Sequence, residues 1–274
     1  MHLVHFVFND FKRFIACNTC ESRGGATSKK IMDTILNLTI IVISIVQSIF
    51  GVGVLLFGTP LLMLYNYDFT IALLILLPIS IVISFLQIFK NIKYIDFVFY
   101  GRFLIYSIPF LIGFLSIGIH NSINFSLIIG LFLIIVSLKN SSDIIKKSLE
   151  YLSNYDRINF IVMGIIHGLT NLGGSFLTAM VFNKDLLKDK MRSTIAICYA
   201  TFAIFQILIL ILFIGADQVI YYFNFKFFIV GILTFFIVER LVYSRMDIEK
   251  YEKSFSIFLF LSGFSLFIKN IYEL

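Results

Sequence analysis

Apolar and polar residues alternate along this chain in long blocks. Eight apolar segments run at roughly 31–64, 69–89, 97–118, 122–138, 158–182, 193–214, 219–238 and 254–271. Most approach the roughly 20 residues that cross a hydrocarbon core as helix, and the shorter fourth and eighth cross with little tilt. The polar connections are short except for KNSSDIIKKSLEYLSNYDR at 139–157, which divides the segments four and four. The pattern predicts an all-α polytopic membrane protein of about eight helical segments in two repeats of four. Its expected parts are an N-terminal tail (1–30) in the cytoplasm or on the membrane surface, a first repeat (31–138), a cytoplasmic linker (139–157) and a second repeat (158–274).

Two segments are interrupted where a plain crossing would not be. The first carries GVGVLLFGTP at 51–60, and the fifth carries GIIHGLTNLGGSFLT at 164–178. A membrane helix tolerates such polar and helix-breaking groups only where they face protein, water or a substrate. Sliding the first half by 120 positions sets Gly51 on Asn171, Gly53 on Gly173 and Gln47 on His167, and a shift of 119 sets Gln87 on Gln206. The first and fifth segments are therefore expected to be broken or re-entrant, one in each repeat.

A break near the midplane exposes backbone N–H groups where its second half-helix starts, and the positive end of that half-helix attracts an anion. In the fifth segment the expected backbone donors are Gly174, Ser175 and Phe176, helped by the side chains of Thr170, Asn171 and Ser175, with Gly173 also part of the site. In the first they are Gly51 and Gly53. Gln47, Gln87 and Gln206 both donate and accept, which suits a substrate site and equally suits hydrogen-bonded glue between helices. His167 is the ionisable side chain deepest inside an apolar segment. An imidazole, with an ordinary pKa of about 6.5, serves there as proton carrier, as balancing cation or as a neutral partner of a helix neighbour.

Composition removes other classes. With 59% hydrophobic and 14% charged residues and a mean hydropathy of +0.96, a soluble domain is excluded. The net charge of +6 resides in short clusters between apolar segments rather than on one basic face, which speaks against nucleic-acid binding. Cys17 and Cys20 form a C-x-x-C with no second pair, and Cys198 reads as a packing residue, so neither metal nor cofactor is expected. His120 and His167 share no metal or nucleophile motif, so the chain does not read as an enzyme.

Those clusters also bear on orientation. Lys and Arg in 90–102, 139–157 and 239–253 place these loops in the cytoplasm, while 65–69, 119–124 and 215–218 have none. Loop 183–192, NKDLLKDKMR, breaks the alternation if the fifth segment crosses. A fifth segment that turns back at Asn171–Gly174 resolves this, and a matching first segment would make the repeats inverted. Lys29 and Lys30 favour a full first crossing and parallel repeats, so the two arrangements stay open.

The motifs GVGVLLFGTPLL (51–62) and HGLTNLGGSFLTA (167–179), with KDKMRSTIAICYATFAIFQ (188–206), resemble the TauE/SafE sulfite exporter family over about residues 35–271. Gly51, Gly53, Pro60 and Leu61 match its first motif and Gly164, Gly168, Gly173 and Gly174 its second. Val54, Leu55 and Asn171 stand where glycines are usual. The resemblance implies a secondary transporter, an exporter of sulfite, organosulfonates or similar small anions, in a cytoplasmic membrane. Alternating access between the breaks would move the anion, with Lys184 and Arg192 drawing it in, His167 coupling a proton and a homo-oligomer compatible with the pattern. A channel or a non-transporting scaffold is the alternative.

Overall fold

The computed structural model describes residues 25–120, 156–182, 184 and 186–243. The expected fourth and eighth segments, most of the linker and most of the tail, with Cys17 and Cys20, lie outside these residues. Residues Met1–Leu38 and Thr39–Leu274 form separate compact units, and both glycine-rich breaks belong to the second.

The described residues are helical, with no strand among them. In chain order the helices are α1 Gly25–Phe50, α2 Val54–Leu64, α3 Phe69–Asn91, α4 Phe97–His120, α5 Asp156–Thr170, α6 Gly173–Phe182, α7 Lys188–Ile214, α8 Ala216–Tyr222 and α9 Phe225–Leu241. A short 3-10 turn, Ile92–Tyr94, continues α3. Phe69–Tyr94, Phe97–Ile119 and Lys188–Ile214 are long and apolar enough to cross a membrane. A fourth crossing results if α8 and α9, bent by 61°, form one broken span. The bend falls at Asn224, whose side chain accepts the Lys226 N–H at 3.0 Å and so starts a new helix. α7 begins five residues before the apolar boundary read at 193, so the basic residues from Lys188 to Arg192 belong to the helix rather than to a loop.

The two interrupted segments are helical hairpins. In the first, Tyr65 hydrogen-bonds Thr39, Gly58 lies against Ile43, and the Val54 N–H meets Gln47, so α2 runs back beside α1. In the second, Phe160 of α5 packs edge-on against Phe99 at 5.0 Å, and Lys184, beyond α6, lies 5.1 Å above the same ring. The chain therefore leaves Phe99 along α5 and returns to it along α6. α5 hugs α4: a Cβ on Gly164 would stand 2.2 Å from the Ser107 carbonyl oxygen and one on Gly168 2.9 Å from that of Leu111. This G-x-x-x-G pair allows the close helix approach that drives association in lipid, and the Ser107 hydroxyl adds a 2.6 Å bond to the Phe160 carbonyl.

The hairpins point in opposite directions along α3 and α7, which pack together centrally. The first opens beside the start of α3 and its tip reaches Gln87 and Arg192. The second opens beside the start of α4, and its Gly168 reaches Leu111 and Leu115. Basic residues of 184–192 lie at the end of the bundle that holds Lys90 and Glu239: Lys188 bonds the Tyr243 carbonyl, and Lys190 lies 3.8 Å from Asp96.

Candidate functional site

The two hairpin tips share one backbone plan. Gly51 and Asn171 both have positive φ, +78° and +63°. In each tip this residue's N–H bonds, at 2.9 Å, to the carbonyl four positions earlier, Gln47 or His167. Two residues further on, Gly53 and Gly173 lie against Gln47 and His167 in turn. A positive φ suits glycine and, among other residues, asparagine best, which is why Asn171 can stand for a glycine.

The side chains finish the tips differently. Gln47 Oε1 accepts the Val54 N–H at 2.9 Å and so caps α2. Its Nε2 reaches the Ser80 carbonyl at 2.8 Å and the Ser84 hydroxyl at 3.0 Å. The carbonyls that end α1 are also met: Gln87 Nε2 donates to Gln47 at 2.7 Å and to Ser48 at 3.1 Å, and Arg192 Nη2 donates to Ser48 at 2.7 Å. Gly51 and Gly53 sit inside this network, with Gly51 against the Arg192 carbonyl.

At the second tip, His167 is fully buried and, among the described residues, neither ring nitrogen has a formed hydrogen bond. Its ring stacks on Phe202 at 3.9 Å and meets Tyr199 edge-on at 5.9 Å, with the Gln206 side chain facing it. Gln206 Nε2 donates to Asn171 Oδ1 at 3.1 Å, Asn171 Nδ2 donates to the Thr59 hydroxyl at 2.7 Å, and Gln206 Oε1 is unmatched. The Thr170 and Ser175 hydroxyls turn to the Ile166 and Leu172 carbonyls at 2.6 and 2.8 Å, so neither points an unused donor into the tip. Among the described residues no side chain caps the opening N–H groups of Gly173 and Gly174.

Tyr199 joins the two tips. A Cβ on Gly174 would stand 2.6 Å from the Tyr199 ring and 2.7 Å from Val52. The Tyr199 hydroxyl, fully buried, faces the Leu56 backbone near the start of α2 without a formed hydrogen bond. The sequence reading missed Tyr199, Phe202 and Thr59. Positions 199, 202 and 206 share one face of α7, and that spacing, anchored on Gln206, was the available signal.

Residues 36–266 match the family described as Sulfite exporter TauE/SafE. The chain belongs to this family. No curated protein and no solved structure matches it. TauE/SafE proteins are transporters, so the long apolar helices belong to a membrane transport protein of the sulfite-exporter kind.

In this TauE/SafE chain the two predicted anion-attracting cations differ. Lys184 is exposed beyond α6. Arg192 is 3% exposed, bonds Glu239 Oε2 at 2.5 Å and lies 3.8 Å above the Tyr243 ring. Lys90 bonds the other Glu239 oxygen at 2.5 Å. Burial holds the Tyr243 phenol above its ordinary range, so its hydroxyl stays protonated and donates to Asp189 at 2.8 Å. Arg192 thus ties α1, α7 and α9 together. Among the described residues no His, Cys, Asp and Glu group has the make-up of a metal site.

Proposed function

We propose that the protein is a secondary carrier that exports a small anion, sulfite or an organosulfonate, across the cytoplasmic membrane. The observation that carries this reading is the cluster of unmatched buried polar atoms on His167, Tyr199 and Gln206 around the uncapped start of α6. Leaving buried polar atoms unpaired costs about 1–3 kcal/mol each, and an anion that accepts from the His167 N–H and the Tyr199 hydroxyl recovers it for these two, while Gln206 Oε1, an acceptor, takes a hydrogen bond donated by His167 or by the substrate. The start of α6 adds a dipole of about half a positive charge.

In this reading the two hairpins are the cores of inverted repeats that enter from opposite faces, and the first and fifth segments are re-entrant. The basic end, with Lys90, Lys184, Lys188 and Lys190, faces the cytoplasm by the positive-inside rule. Tyr199 closes the start of α6 and moves aside as the anion enters. Alternating access then rocks the hairpins about the anion held by Asn171, Gly173, Gly174 and Gln206. His167 gains or loses a proton with it. Gln47, Gln87 and Arg192 hold the first tip rigid, and Thr170 and Ser175 shape the second.

The test is uptake of labelled sulfite into proteoliposomes, with and without a proton gradient. Saturable uptake that the gradient changes is the expected result. Large unitary currents would point instead to a channel, and no uptake by folded protein would remove the carrier. If His167→Gln retains uptake with unchanged pH dependence, proton coupling through His167 is wrong.

A further inference from the structure

The second tip carries information about the charge of its ligand as well as its class. Its unmatched groups are two that can donate, the His167 imidazole and the Tyr199 phenol, and one acceptor, the Gln206 amide oxygen, beside the Asn171 amide, the Thr59 hydroxyl and the N–H groups of Gly173 and Gly174. None carries a fixed charge. The imidazole is faced by Tyr199, Phe202 and Gln206 of α7 and by Gly173 of α6, with no carboxylate or cation among them. The walls are apolar: Val52, Leu172 and Phe202 are fully buried. Arg192, the buried cation on the same helix, lies at the other tip, where its Nη2 donates to Glu239 and to the Ser48 carbonyl while its Nε and Nη1 are unmatched.

Such a site suits one negative charge and penalises two. The half-helix end offers only about half a charge, and at most one more proton is available on His167. The cost of desolvating an ion grows with the square of its charge, so a dianion loses about four times as much as a monoanion of the same size on entering these walls. We infer that this tip binds sulfur oxoacids as single anions, hydrogensulfite or an organosulfonate, and rejects dianions such as sulfite itself, sulfate and thiosulfate. The inference rests on the carrier reading above and adds the charge state that the carrier selects.

The experiment uses the full chain in proteoliposomes, with labelled sulfite and labelled methanesulfonate, at pH values on both sides of the second ionisation of sulfurous acid. Methanesulfonate keeps one charge throughout, so it separates titration of the substrate from titration of the protein. The expected result is that half-saturation for total sulfite rises with pH more steeply than that for methanesulfonate, which carries only the protein's own titration, as hydrogensulfite disappears. Sulfate and thiosulfate should compete about tenfold more weakly than methanesulfonate, or worse, a difference of about 1.4 kcal/mol. Competition by either dianion on a par with methanesulfonate overturns the inference, as does the same pH dependence for both labelled substrates. Saturable dianion uptake would leave the carrier reading standing and sink only the charge selection. No saturable uptake of any anion sinks both.

Discussion

At the first hairpin tip the side chain of Gln47 caps α2, and Gln87 and Arg192 meet the carbonyls that end α1. At the second, the residue in the corresponding place is His167, whose ring faces Gln206 with no formed hydrogen bond, and among the described residues no side chain caps the start of α6. The backbones are alike, down to a positive φ at Gly51 and Asn171. The first tip caps its second helix from within, although Gln87 Oε1 and Arg192 Nε and Nη1 stay unmatched there, and the second leaves His167, Tyr199 and Gln206 atoms unmatched. A broken helix is then a scaffold, and the side chain four residues before the turn decides whether it serves structure or binding.

The comparison predicts that changes at the first tip act on stability, and the largest effect belongs to Arg192→Met. That variant leaves Glu239 buried with Lys90 alone and frees the Ser48 carbonyl. Breaking a buried pair on one side costs about 3–5 kcal/mol, so the protein should lose most of its heat resistance in detergent, read by size exclusion after heating. An unchanged melting profile would remove Arg192 as the anchor of the first tip. Gln47→Leu comes next, because it strips the Val54 N–H and the Ser80 and Ser84 hydroxyls of their partner. A loss of about 1–3 kcal/mol is expected, with half-saturation unchanged in the protein that remains. A shifted half-saturation at wild-type stability would show that the first tip binds substrate after all.

His167→Gln makes the second tip chemically like the first. The amide can reach the start of α6 as Gln47 reaches Val54, so stability should stay within about 1 kcal/mol of wild type or rise. Transport should fall about tenfold or more, because the site becomes self-satisfied. Wild-type transport in this variant would end the contrast between the tips.

Much of this was legible in the residues. The offset that set Gly51 on Asn171, Gly53 on Gly173 and Gln47 on His167 marked positions with matching backbone geometry. The charge anomaly at 183–192 left a fifth segment that turns back and one that crosses both open in the sequence; in the structure Lys184 lies over Phe99, where that segment's first helix packs. The roles of the polar side chains were harder to read. A glutamine in an apolar segment has one meaning when Ser80 and Ser84 stand opposite and another when a histidine does, and those partners come from distant helices. Arg192 looked like a free cation because Glu239, 47 residues away, is invisible as its partner until the helices pack. Tyr199 passed unnoticed because a tyrosine in an apolar helix is ordinarily core.

Tyr199→Phe is the subtlest probe, because it removes one oxygen that faces both tips and changes no packing. The hydroxyl has no formed hydrogen bond, so its loss should leave stability within about 0.5 kcal/mol of wild type or raise it slightly. If the phenol turns to the anion once Tyr199 leaves Gly174, the lost bond to a charged ligand is worth about 1.5 kcal/mol. Half-saturation should then rise about tenfold. Wild-type half-saturation would make Tyr199 a plug without a binding role, and a large loss of stability would move it into the structural chemistry of the first tip. The same oxygen lies between the starts of α2 and α6, so this substitution asks which of the two tips it serves.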